Sequence, residues 1–164
     1  IRDSLVRFRI ITEANLKMSA YLVIIILAVN MLLSLLIGLL TQTGNSVNQE
    51  EIRNASTVLP LMTILSTCVF APIIEETVFR AGAFSCLRSR LGFWAAAIIS
   101  SILFGSIHIV DSLLAGNLMD VSYLLVYAGI GMVLAYGYEK SSSCMVPGIV
   151  HAGNNIISML FMLL

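Results

Sequence analysis

Apolar runs long enough to cross a bilayer alternate along this chain with short polar stretches. Met18 to Leu40 holds no charged residue. At about 1.5 Å per residue it crosses the roughly 30 Å of bilayer hydrocarbon, which predicts a first spanning helix. A second span is predicted to start near Thr57 and to continue to about Leu87. A third covers about Leu91 to Val110, a fourth about Val121 to Tyr138 and a fifth about Val146 to Leu164. The polar stretch Thr41 to Ser56 reads as a loop. Ser89 to Gly92, Asp111 to Asp120 and Glu139 to Cys144 read as short joints. Ahead of the first span, Arg2, Arg7, Arg9 and Lys17 interleave with Leu5, Val6, Phe8, Ile10 and Ile11. That is the pattern of a basic amphipathic helix lying on a membrane face. The expected fold is all-α, a polytopic transmembrane helical bundle of about five spanning helices plus the N-terminal interfacial helix. Residues 1–17 form the basic interfacial segment and 18–164 a single transmembrane domain.

Composition agrees with that class. Of 164 residues, 59% are hydrophobic and 11% charged, whereas soluble domains are about half apolar and about a quarter charged. The formal net charge is zero, so no basic surface for nucleic acid is expected. Lys and Arg set the orientation. With the N-terminus in the cytoplasm, the inner segments hold Arg2, Arg7, Arg9, Lys17, Arg88, Arg90 and Lys140, and the outer loops hold Arg53. A multi-pass plasma-membrane protein with a cytoplasmic N-terminus is expected. Cys68, Cys86 and Cys144 form no CxxC pattern, so they read as reduced thiols packed among helices. A chain that begins at Ile1 is expected to be a piece of a longer protein, with further helices upstream.

A charged side chain at mid-bilayer costs roughly 2.5–3.5 kcal/mol on insertion scales. The second span nevertheless carries Glu75, Glu76 and Arg80, the third His108, and the fifth His151 with Asn155. Such groups face a bundle interior or a wet cavity and mark function. Glu75 lies about 18 Å from the Leu87 end of its helix, and His108 about 22 Å from the same face. Counted from Pro147, His151 lies only about 6 Å in and Asn155 about 12 Å. For these groups to meet, Ser141 to Gly148 must dip inward, which irregular backbone does where it lines a cavity.

Spacing then sorts roles. Glu76 and Arg80 are i and i+4 and pair on one helix face. Glu75 points about 100° away, has no cation beside it in its own helix and reads as a general base. His151 and Asn155 are also i and i+4, two donors of the kind an oxyanion hole requires. Asn154 points elsewhere and reads as packing or a helix–helix hydrogen bond. Pro60 and Pro72 read as kinks.

The same residues spell EExxxR (Glu75 to Arg80), FxxxH (Phe104 to His108) and HxxxN (His151 to Asn155). In this order, each in an apolar span, they resemble the CPBP family of CAAX-protease and bacteriocin-processing proteins. This is also called the Abi family, and it includes the type II CAAX prenyl endopeptidases. The likeness covers about 59–164. It implies an intramembrane endopeptidase in which Glu75 activates water, His108 orients that water, Glu76 and Arg80 support, and His151 with Asn155 stabilise the oxyanion. It implies a peptide or lipidated protein substrate within the bilayer. Relatives have been described both as metalloproteases and as metal-independent glutamate proteases. No cofactor is favoured, although Glu75, His108 and His151 are a set that a divalent metal such as zinc accepts. HExxH is absent, Ser66, Ser100 and Ser106 sit in no nucleophile motif, and Asp111 and Asp120 fall in a loop. The alternative reading is a non-catalytic scaffold or bacteriocin-immunity protein that binds a membrane partner. A proton-coupled transporter would show inverted repeats, and none is visible.

Overall fold

The computed structural model describes residues 12–42 and 44–163, and these are helical without any strand. Helix α1 spans Glu13–Thr41. The Thr12 hydroxyl caps it by accepting from the Asn15 amide at 3.2 Å. Lys17 pairs with Glu13 within this helix at 2.7 Å, so Glu13 to Lys17 continue into the first span. The remainder of the expected interfacial helix, residues 1–11, lies outside the described residues.

The expected loop before the second span is instead largely a helix, α2, over Val47–Val58. Ser46 caps it, its hydroxyl accepting from the Gln49 amide at 3.3 Å. A hydropathy window finds spans and passes over such a polar helix, whose signal is the cap rather than apolar length. Pro60 does not kink a span but starts one, at a first-turn position where no amide donor is needed.

Helix α3 runs without a break over Pro60–Arg88. Two stretches within it, Ser66–Phe70 and Thr77–Phe84, are wound as π-helix. Pro72 follows the first of them. Having no N–H, it cannot bond the carbonyl four residues back, and the ladder adjusts around it. Such widened turns are frequent at functional sites.

Helix α4, Phe93–Ile107, has 15 residues, about 22 Å and too short to count as a full crossing. Among the described residues, four helices are long and apolar enough to cross a membrane: α1, α3, the segment Leu118–Ser141 and the last helix. The expected third span is thus α4, a shorter apolar helix. His108 ends it. The Phe104 carbonyl accepts from the His108 ring at 2.9 Å, and the His108 amide bonds Gly105 instead. The predicted joint after it holds a short helix α5, Val110–Leu114, and a 3₁₀ turn, Leu118–Tyr123. Asp120 is buried there rather than in an open loop. It accepts from the Ser112 hydroxyl at 2.6 Å and the Val47 amide at 3.1 Å. Helix α6 covers Leu124–Ser141 and α7 covers Met145–Leu163.

Small residues let α4 and α6 pack antiparallel at close range. A Cβ on Gly131 would lie 2.9 Å from Ser101 Cβ, and one on Gly105 3.2 Å from the Ala128 amide nitrogen. Ala97 and Ala135 are fully buried in the same seam. The small-residue stripe of α6 is thus an internal contact. Helix α1 runs antiparallel to α6, Leu33 meeting Gly129 and Leu22 meeting Gly137. Arg88 pairs with Glu139 at 3.0 Å. Lys17, Arg88 and Lys140 therefore lie toward one end of the bundle.

Gly131→Ala is expected to lower the melting temperature in detergent, because the neighbouring atoms at 2.9–3.0 Å are Cβ and Cα of Ser101 and not a flexible tip. Overpacking of this kind costs about 1–3 kcal/mol. Gly148→Ala is the control, since a Cβ there meets nothing within 4 Å. Equal melting of the two variants would contradict the tight α4–α6 contact.

Candidate active site

Helices α3, α4 and α7 bring all six singled-out residues to one place. Glu76 and Arg80 close the expected pair, with Arg80 Nε 3.1 Å from Glu76 Oε2. Both side chains are 1% exposed. The Arg80 guanidinium also donates to the Gly131 carbonyl at 3.2 Å and lies 4.6 Å from the centre of the Phe104 ring. A desolvated cation–π contact is worth about 2 kcal/mol.

His151 Nδ1 lies 2.9 Å from Glu76 Oε1. A carboxylate accepts, so Nδ1 carries the hydrogen. The other ring nitrogen, Nε2, is then aimed at Glu75, 3.9 Å from its Oε2. His108 is held the same way by a different partner. Its Nδ1 donates to the Phe104 carbonyl, which can only accept, and its Nε2 lies 3.8 Å from the same Glu75 oxygen. Glu75 Oε2 is buried, sits between two imidazoles and makes no hydrogen bond among the described residues. Adjacent glutamates therefore have unlike surroundings. Glu76 is held by Arg80 and His151. Glu75, 18% exposed, lines a cavity of about 320 Å³ together with His108, His151 and Asn155.

The depth of His151 follows from the turn before it. Only Ser142 to Cys144 are non-helical, and α7 begins at Met145, earlier than the expected Pro147. Ser142 adopts a left-handed conformation, φ 52°. Ser143 and Cys144 are buried, and the Cys144 thiol donates to the Glu76 carbonyl at 3.8 Å. The inward dip is thus a tight buried turn against α3. Burial pushes the Cys144 thiol up to about 11, so it stays protonated as a donor. Cys68 is buried too, but Cys86 is exposed rather than packed among helices.

Asn155 projects into the cavity as expected. Its amide is also engaged elsewhere, Nδ2 donating to the Thr67 carbonyl at 2.9 Å. Asn154 is the expected helix–helix bond, accepting from Asn30 of α1 at 3.2 Å. Ser66, Ser100 and Ser106 each donate to a carbonyl of their own helix, which is not the arrangement of an activated nucleophile. Among the described residues, no three His, Cys, Asp or Glu side chains are grouped to hold a metal ion. In the set that zinc would use, Glu75 Oε2 stands 3.8 Å from His108 Nε2 and 3.9 Å from His151 Nε2.

Two residues to which the sequence reading gave no role also build the site. Phe104 contacts both histidines and Arg80 with its ring, at 4.7 Å to His108 and 5.6 Å to His151 between centroids. Its i, i+4 spacing to His108 was the available signal. Tyr127 stacks on His108, centroids 4.5 Å apart and planes 20° apart. Its hydroxyl meets Ser46 Oγ at 2.7 Å and accepts from Asn48 at 3.2 Å. Nothing local in the sequence marks Tyr127, whose hydrogen-bond partners lie roughly eighty residues away.

Comparison with known proteins bears out the family resemblance. The family described as type II CAAX prenyl endopeptidase Rce1-like matches residues 57–157. The chain is 33% identical to the putative membrane peptidase YdiL of Bacillus subtilis over 65% of its own length and 39% of that protein. It is 26% identical to the membrane-embedded CAAX protease MroQ of Staphylococcus aureus, over 73% of this chain and 46% of that one. An uncharacterized 24.3 kDa protein of Escherichia coli is 27% identical over 62% of this chain and 44% of its own. The chain thus spans less than half the length of the curated relatives it matches. No solved structure matches it.

Proposed function

The chain belongs to the Rce1-like family of type II CAAX prenyl endopeptidases, and on that premise we propose that it is an intramembrane endopeptidase. Its substrate is a membrane-associated or C-terminally lipidated peptide, and Glu75 activates the attacking water. The observation that carries this reading is the unlike surroundings of the two adjacent glutamates. Only Glu75 faces the cavity, between two imidazole nitrogens at 3.8 and 3.9 Å.

The Glu75 carboxylate takes a proton from water as the oxygen adds to the scissile carbonyl carbon. His108, with Nδ1 committed to Phe104, presents its Nε2 lone pair to the second O–H of that water. The oxyanion accepts from the Asn155 amide and from His151 Nε2 when that nitrogen carries a proton. As the C–N bond breaks, the Glu75 carboxyl returns its proton to the leaving amine. No step needs a metal, and the mechanism is metal-independent in this reading. The cavity wall joins polar groups of α2 and α3 to apolar Ile52, Ile107, Val126 and Met159, a mixed surface that suits a peptide carrying apolar groups. The end holding Lys17, Arg88 and Lys140 faces the cytoplasm of the plasma membrane by the positive-inside rule.

The test is turnover of fluorogenic peptides, with and without a prenylated cysteine, by the purified protein in lipid nanodiscs. Cleavage is expected, with a rate unchanged by 1,10-phenanthroline or EDTA. Loss of cleavage under chelation, restored by added zinc, would overturn the glutamate mechanism.

A further inference from the structure

A row of four polar side chains runs along the cavity wall from α1 through α7 and ends on α3. The Ser34 hydroxyl donates to Asn30 Oδ1 at 3.3 Å. Asn30 Nδ2 donates to Asn154 Oδ1 at 3.2 Å, and Asn154 Nδ2 to Asn155 Oδ1 at 3.2 Å. Asn155 Nδ2 donates to the Thr67 carbonyl at 2.9 Å.

The polarity of this row follows from its last member. A backbone carbonyl oxygen only accepts. The Asn155 group beside Thr67 must therefore be its NH₂, and the other end of that amide must be oxygen. That oxygen requires a donor, which makes the facing group of Asn154 its NH₂. The Asn154 oxygen in turn requires the NH₂ of Asn30, whose oxygen takes the Ser34 proton. Turning any one amide over would set oxygen against oxygen or NH₂ against NH₂. Asn154 is 4% exposed, so a mismatch there would set buried polar atoms against like atoms, at the cost of lost hydrogen bonds.

We propose that Asn30 and Asn154 are positioning residues that lock the Asn155 amide with its NH₂ toward the reaction centre. One N–H of that group is committed to Thr67 and the second serves the cavity that Asn155 shares with Glu75 and His151. Helix α1, which lies outside the segment that matches the family, thereby completes the site. The proposal rests on the oxyanion role given to Asn155 above, and on the hydrogen-bond row independently of it.

The experiment compares Asn30→Asp, Asn154→Leu and Asn155→Ala, alone and combined, by turnover in nanodiscs. Asparagine-to-aspartate keeps the shape of Asn30 and removes the donor to Asn154. Asn155→Ala is expected to lower kcat by about 10²–10³-fold. Asn30→Asp and Asn154→Leu are expected to lower kcat by up to about 10²-fold with KM little changed, the cost of a misplaced catalytic group. Combined with Asn155→Ala, neither should slow turnover further, because both act through the missing amide. Losses that multiply would overturn the proposal.

A readout independent of turnover uses protein labelled with ¹⁵N-asparagine. The Asn155 side-chain amide resonances are expected to shift and exchange faster in Asn30→Asp, at unchanged melting temperature. Unshifted resonances would overturn the row even in an active protein. Shifted resonances in a protein that cleaves nothing would leave the row standing and remove the peptidase reading instead.

Discussion

Glu75→Gln is expected to reduce peptide cleavage by about 10²–10⁴-fold, the contribution of a positioned general base. The folded protein should be little affected. Glu75 makes no hydrogen bond through its buried Oε2, and both neighbouring imidazoles are held by other partners, Glu76 and the Phe104 carbonyl. Glutamine keeps the shape and loses only the ability to take a proton. The measurements are turnover in nanodiscs beside a thermal melt in detergent. Retained turnover at an unchanged melt would remove Glu75 from the mechanism. A scaffold that acts by binding a membrane partner would support its cellular phenotype equally well with glutamine at this position. Complementation by Glu75→Gln, in a strain where the parent chain has an effect, separates those two classes directly.

Arg80→Met is expected to have the second large effect, and on stability rather than chemistry. Removing one partner of a buried pair leaves the other uncompensated, at about 3–5 kcal/mol. Here the orphaned group is Glu76, which is 1% exposed and, among the described residues, keeps His151 as its side-chain partner at 2.9 Å. The loss also removes the bond to the Gly131 carbonyl and the contact with the Phe104 ring. The variant should accumulate poorly and melt well below the parent chain. The double replacement Glu76→Gln and Arg80→Met should recover part of that stability, because no bare charge remains, while activity stays low for want of the His151 tether. A melt of Arg80→Met equal to that of the parent would show that the pair contributes nothing to folding.

The site was legible in the sequence because the bilayer makes charge conspicuous. Glu75, Glu76, Arg80, His108 and His151 stand out in apolar runs, and i, i+4 spacing places Glu76 with Arg80 without any tertiary information. The need for an inward dip before His151 was also legible, although its form, a turn of three residues rather than a long irregular segment, was not. Three features were hidden for separate reasons. Helix α2 is polar, so it leaves no trace in a search for apolar length. Helix α4 is terminated by the side chain of His108 taking the Phe104 carbonyl, a choice that hydropathy does not register. Asn30 and Tyr127 gain their meaning from partners 124 and about eighty residues distant, and such contacts have no local signature.

The placement of Glu76 and Arg80 on one helix also bears on how the protein is made. Both belong to α3, so their ion pair closes as soon as that helix winds, before α6 and α7 have left the ribosome. The insertion machinery then meets a neutralised pair rather than two separate charges, each costing roughly 2.5–3.5 kcal/mol at the membrane centre. Glu75 has no such companion and acquires its second imidazole only when α7 arrives. Biogenesis thus supplies the Glu76–Arg80 pair early and the full surroundings of Glu75 last.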